Sequence, residues 1–237
     1  MARADISNAF SMRVFFKNKI IRKSMIKDNT THVVLDVPYF QQTRTATCGP
    51  ACLMMVMKYW DPSFEFSRRV EFDLWMKSFS FLFFGGTYQF GLAKVAVNMG
   101  YRAEIYQQTS FSQNYTKLPK VFDFIEFIVS SGARRARIPI HCNCDVRMEI
   151  HELLRQRIPP IVFVTLKPLI GESVFHWVVV TGTDDQYVYV NDPYFPAGSS
   201  WKIRKGYPVS WEIFQKAIAT NTGRNLRLPP CVVSVYK

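Results

Sequence analysis

No run of apolar residues in this 237-residue chain approaches the ~18 needed for a membrane-crossing helix, which excludes one. Internal repeats and low-complexity tracts are also missing, which excludes solenoids, collagen-like chains and long linkers. Cysteine is sparse and odd in number, at positions 48, 52, 142, 144 and 231. Charges at Arg13, Lys17, Lys19, Arg22 and Lys23 interrupt every candidate apolar stretch near the start. A disulfide framework is therefore not expected, and a reducing, cytoplasmic compartment is. The thiols are left free for chemistry.

Acidic residues are few, 18 against 30 Lys and Arg, giving +12. Residues 1–30 contribute +5 and residues 201–237 contribute +6, so the 170 residues between them carry only +1. A nucleic-acid-binding fold carries its basic face through its core elements, so no nucleic-acid partner is expected. Basic ends give at most a weak attraction to an anionic membrane surface or an acidic partner, and solvated flanks explain them as well.

What the chain does have is apolar and aromatic material: 48% hydrophobic residues and 15% aromatic, with 20 Phe. That suffices for a sizeable core. Residues 1–30 read as a basic extension and residues 31–237 as one domain. His32 to Phe40 reads as a strand. Pro50 fits only the first turn of a helix, so the apolar run to Trp60 should start at Cys48 or Gly49. Further helices are expected over 67–77, 88–99, 118–130, 145–157 and 210–219. Strands are expected over 137–142, 161–166, 173–182, 186–192, 200–203 and 231–236. A helical first half followed by an antiparallel sheet is an α+β order.

A thiol at the first turn of a buried helix faces the positive end of the macrodipole, which favours thiolate, the nucleophilic form. By itself Cys48 is no more than a small buried residue, as Cys52 one turn later illustrates. Gln42, six residues earlier, carries an amide able to donate to an oxyanion alongside the Cys48 N–H. His176 lies on an apolar strand, and Asp192 follows 16 residues later at the end of the next strand. A three-residue loop at Thr183-Asp184-Asp185 pairs Val180 with Val188, Val178 with Val190 and His176 with Asp192. Alone, His176 reads as a core histidine and Asp192 as a turn starter.

The strings Gln42-Thr-Arg-Thr-Ala-Thr-Cys48-Gly-Pro-Ala-Cys-Leu, His176-Trp-Val-Val-Val-Thr-Gly and Val190-Asn-Asp192-Pro193 resemble the papain-like cysteine peptidases. Within them they are most similar to the bacteriocin-processing, double-glycine leader peptidases, in their free-standing peptidase-like branch. The resemblance covers roughly residues 36–236. It implies a papain-like α+β fold, with a central nucleophile helix packed on an antiparallel sheet. It also implies Cys48 as nucleophile, His176 as general base and acid, Asp192 as its orienter and Gln42 as oxyanion donor. The substrate implied is a peptide or protein, without a cofactor. Exporter features of that family, membrane spans and a phosphate-binding Gly-Lys-Ser/Thr loop, are not in the sequence, so double-glycine specificity does not carry over.

Two other functions use the same residues: acyl transfer to an amine, or a non-catalytic domain that keeps the cleft for a peptide. His141-Cys-Asn-Cys144-Asp145 offers soft metal ligands but has no second pair at finger-like spacing. It reads as a strand end and a helix cap.

Overall fold

The computed structural model describes residues 32–79, 86–110, 113, 118–194, 205–219 and 228–237. The basic extension over 1–30 and the strand expected over 200–203 lie outside the described residues.

The helices form where the sequence supplies caps and apolar stripes. Helix α1 (Cys48–Trp60) is buried on nearly every face from Gly49 to Met57, as a central helix should be. Helix α2 (Arg68–Ser78) starts at Ser67, whose hydroxyl accepts from Val70 N. Helix α3 (Gln89–Asn98) ends before Gly100, whose φ of +87° suits a residue without a side chain. It leads straight into strand β2 (Arg102–Gln107). Helix α4 (Pro119–Arg135) has Pro in its first turn. Helix α5 (Val146–Arg155) is capped by Asp145, which accepts from Arg147 N and Met148 N.

The rest of the sheet comes from β1 (Val33–Val34), β3 (Ile140–His141), β4 (Ile161–Thr165), β5 (Phe175–Thr183), β6 (Tyr187–Asn191), β7 (Tyr207–Ser210) and β8 (Cys231–Tyr236). One-turn helix α6 (Lys167–Ile170) follows β4, and α7 (Trp211–Ile218) follows β7. The strand order is β3-β2-β8-β4-β5-β6-β7, with β1 paired to β5. Every pair is antiparallel except β2 with β3. This is the α+β architecture expected, with α1 packed on β5 and β8. No helix among the described residues is long and apolar enough to cross a membrane.

Strand β5 is buried along nearly its whole length because successive side chains go under different helices. Trp177 donates its indole N–H to Thr87 O before α3, while Val178 lines a cavity with Ile213 and Phe214 of α7. Two strands had no signal strong enough to read. Strand β2 has charged Arg102 and Glu104 among its first residues, and β7 contains Pro208. The strand expected over 32–40 is regular only at Val33–Val34. Beyond it the chain stays tied by Leu35 N to Thr181 O and by Asn191 Nδ2 to Val37 O.

The hairpin register differs from the expected one. Thr183 pairs with Val188, Gly182 with Tyr189, Val180 with Val190 and Val179 with Asn191, with a bulge between Val180 and Gly182. Two local causes account for it. The Asp184 carboxylate accepts from Gln186 N and Tyr187 N, which closes the turn over Asp184–Gln186. Gly182 lies under β1, where a Cβ would come 2.4 Å from Val33 O, and Thr181 is left as the extra residue. His176 and Asp192 are therefore not directly opposed across the ladder.

Helices α2 and α3 touch at Gly91, where a Cβ would meet Ser78 O at 2.3 Å. Backbone cannot move aside as a side-chain tip can. Gly91→Ala should cost about 1–3 kcal/mol in a denaturant melt. Gly132→Ala, where only the flexible Lys94 chain approaches at 3.1 Å, should be neutral or stabilising by up to about 1 kcal/mol.

Candidate active site

Cys48 opens α1 because its neighbours permit a helix start there and nowhere later. Pro50 cannot sit inside the helix, and Gly49 occupies a position where a Cβ would lie 3.0 Å from Thr87 Cβ. As the first helical residue, Cys48 has an amide with no intrahelical acceptor, at the positive end of the helix. Its thiol is half-buried. Cys52, one turn on, is fully buried and points its Sγ at Trp177 O, 3.3 Å away. Burial, then the charges at Cys48 and Asp192, push the Cys52 thiol well up, so it stays protonated beneath the site.

The structure brings His176 to both of its expected neighbours. Its Nε2 lies 2.7 Å from Asp192 Oδ1, and Cys48 is near enough to favour the charged ring. With Nε2 held by the carboxylate, Nδ1 is the nitrogen left for the sulfur. The pair forms although the strands are out of direct register. Asp192 follows the last residue of β6, free of the ladder, and its carboxylate reaches back diagonally to the start of β5. Residues 3% and 2% exposed thus share a hydrogen bond in a largely dry environment. Asp192 also lines an otherwise mostly apolar cavity of about 270 Å³.

Burial is the largest influence on His176 and works against its charge, but Asp192 and then Cys48 outweigh it and raise its pKa to about 10. The balance favours the imidazolium.

Several neighbours that the sequence did not single out fix this corner. Tyr194 N donates to the same Asp192 Oδ1 at 2.9 Å, and the Tyr194 ring meets His176 edge-on with centroids 5.8 Å apart. Tyr39 donates its hydroxyl to Asp192 O, and Gln42 N donates to Pro193 O at 3.0 Å. The loop preceding α1 is thereby tied to the residues that carry the acid. Only a three-dimensional fold reveals these contacts; Tyr39 and Tyr194 lie 153 and 18 residues from their partners.

Gln42 lies in that loop, with its Nε2 donating to Arg44 O at 2.8 Å and its Oε1 buried without a partner among the described residues. Asn191 is structural: it faces Val179 and bonds Val37 O and Gly206 N. His141 pairs with Glu104 at 2.7 Å on the surface, and Asp145 caps α5. The segment that offered metal-ligand residue types is thus a strand end and a helix cap.

The raised His176 pKa has a defined sign. Below about 6.5 the ring is protonated both folded and unfolded, and its stabilising contribution is fully present. That contribution is lost as pH rises through about 10. Asp192→Asn leaves burial to act with less opposition. NMR titration should then find the ring charged at pH 8 in the wild-type protein and neutral in Asp192→Asn. A ring neutral at pH 8 in both would contradict the electrostatic account.

The comparisons with known proteins agree with the fold. No curated protein matches the sequence. A C39-like peptidase from Bacillus anthracis superposes with a TM-score of 0.52 at 14% identity, covering 87% of this chain and 98% of that one. A double-glycine-motif protease from an AMS/PCAT transporter, crystallised with its leader peptide, superposes at 0.45 and 17% identity with the same coverages. The sequence profile of the Peptidase_C39 like family matches residues 37–227. The chain belongs to the Peptidase_C39 like family and has the papain-like α+β fold of C39 peptidases.

Proposed function

We propose that the protein is a thiol hydrolase that cleaves an amide bond in a peptide, with Cys48 as nucleophile. The observation that carries this reading is the buried imidazole of His176 paired with Asp192 at 2.7 Å, with Cys48 near enough to favour its charge. In the first step the Cys48 sulfur bonds to the scissile carbonyl carbon, and the carbonyl pair moves to oxygen. The Cys48 N–H stabilises that oxyanion together with the Gln42 amide, which exchanges its 3.4 Å contact with Thr45 O for the substrate oxygen. His176 then passes a proton to the leaving amine as the C–N bond breaks, leaving a thioester on Cys48. A water deprotonated by His176 then adds to the acyl carbon, the C–S bond breaks, and the carboxylic acid leaves with the Cys48 thiolate and the charged ring restored. Asp192 keeps the ring oriented throughout and stabilises its charged form, in the manner of a catalytic triad.

Membership of a peptidase-like family supports a peptide as substrate. The five free cysteines support a reducing compartment, which we take to be the cytoplasm. Residues 31–237 act in this reading as the peptidase-like domain.

Alkylation at pH 6 separates this reading from a binding domain that has only kept the cleft. An ordinary thiol of pKa about 8.5 is under about one per cent thiolate at that pH. Burial, the largest influence on each, pushes the Cys52, Cys142 and Cys231 thiols up. Cys48 should therefore label faster than the other four cysteines, as read by mass mapping. His176→Ala should abolish the difference, Asp192→Asn should weaken it, and His141→Ala should leave it unchanged. Equal labelling of Cys48 and its neighbours would leave the binding-domain reading standing.

A further inference from the structure

Glu71 is a carboxylate where the packing of α2 calls for an apolar side chain. The buried residues of that helix are Glu71, Leu74 and Ser78, which lie on one face at helical spacing. Glu71 itself is 0% exposed. Burying a carboxylate is costly unless its oxygens are well supplied with donors. The donors come from the loop that precedes α1. Oε1 accepts from Thr43 N at 2.8 Å and lies 2.5 Å from Thr47 Oγ1, and Oε2 lies 2.5 Å from Thr43 Oγ1.

Those two threonines are the residue after Gln42 and the residue before Cys48. One carboxylate therefore grips both ends of the five-residue span that separates the two candidate oxyanion donors. Thr47 provides no side-chain cap for α1, its hydroxyl being engaged with Glu71 and Arg44 O. The loop has a second tie to the same helix, where the Arg44 guanidinium lies over the Phe72 ring at 4.9 Å. Helix α2 is in turn a firm support, capped by Ser67 at one end and seated against Gly91 of α3 at the other.

We infer that Glu71 is a positioning residue whose carboxylate sets the separation of the Gln42 amide from the Cys48 N–H. The inference rests on the reading of Cys48 as a nucleophile and adds to it the residue that assembles the oxyanion site. Rigid support of this kind matters because donors displaced by a fraction of an ångström lose much of their effect on the transition state. In Glu71→Gln the amide keeps the shape but offers N–H groups where one of the threonine contacts needs an acceptor.

Two reactions of the same thiol isolate the effect. Acylation by p-nitrophenyl acetate forms a C–S bond, places a negative charge on the carbonyl oxygen, and expels p-nitrophenolate, so it needs the oxyanion donors. Alkylation by iodoacetamide is a direct displacement of iodide at carbon and forms no oxyanion. Glu71→Gln should slow the p-nitrophenolate burst by about ten-fold or more while Cys48 alkylation stays within about two-fold. Thr47→Val should shift the same ratio in the same direction. Should Glu71→Gln not fold, as judged by its melt, Thr43→Val and Thr47→Val carry the comparison. Unchanged acylation would overturn the inference, and so would an equal fall in both reactions, which would mark Glu71 as a support of the fold or of Cys48 itself. A wild-type burst that survives Cys48→Ala would instead remove the nucleophile reading, and this inference with it.

Discussion

A carboxylate and an imidazole, both almost wholly out of water, meet at 2.7 Å between the end of β6 and the start of β5. Separately neither charge could be held in such a place; together each makes the other affordable. The surrounding structure can be understood from that requirement. Strand β6 must stop at Asn191 so that Asp192 leaves the ladder, and the backbone of Tyr194 must turn back to donate to the same carboxylate oxygen. The segment before α1 must dock on this corner through Tyr39 and Gln42, which ties the approach to α1 to the residues around the carboxylate. A charged ring beside a thiol is then a consequence of the packing.

The two halves of the chain have different tasks in this arrangement. The second half makes the hairpin that holds His176 and Asp192. The first half makes α1, which brings the thiol, and α2, which braces the approach to it through a buried carboxylate. Helix α1 joins the halves by packing on both β5 and β8, the latter a strand formed by the last residues of the chain. Contacts of such long sequence separation mean that the site draws on both ends of the described chain.

Local chemistry made a good part of this legible. Pro50 located the start of α1, and Asp145 marked the cap of α5. The valine-rich stretches announced β5, β6 and β8. What local chemistry could not show was the pairing of those stretches. Matching valine to valine favoured a direct His176–Asp192 opposition, whereas a bulge at Thr181 and a turn closed by Asp184 shift the ladder by two. The contact survived the error because Asp192 lies past the ladder, where the side chain rather than the register determines its reach. Glu71 escaped notice for the opposite reason. In sequence it is one acidic residue in the first turn of a helix, favourable there for the dipole, and nothing nearby signals that it faces inward.

The central claim is that this packing produces a nucleophile, and the most direct measurement is the mass of the protein caught in mid-reaction. Acid quenching seconds after mixing with an activated peptide ester, followed by peptide mapping, locates the acyl group. The account predicts a single acyl group on Cys48 as a hydroxylamine-sensitive thioester, which disappears on standing in water. An acyl group distributed over the surface thiols Cys142 and Cys144, or none on Cys48, would contradict it.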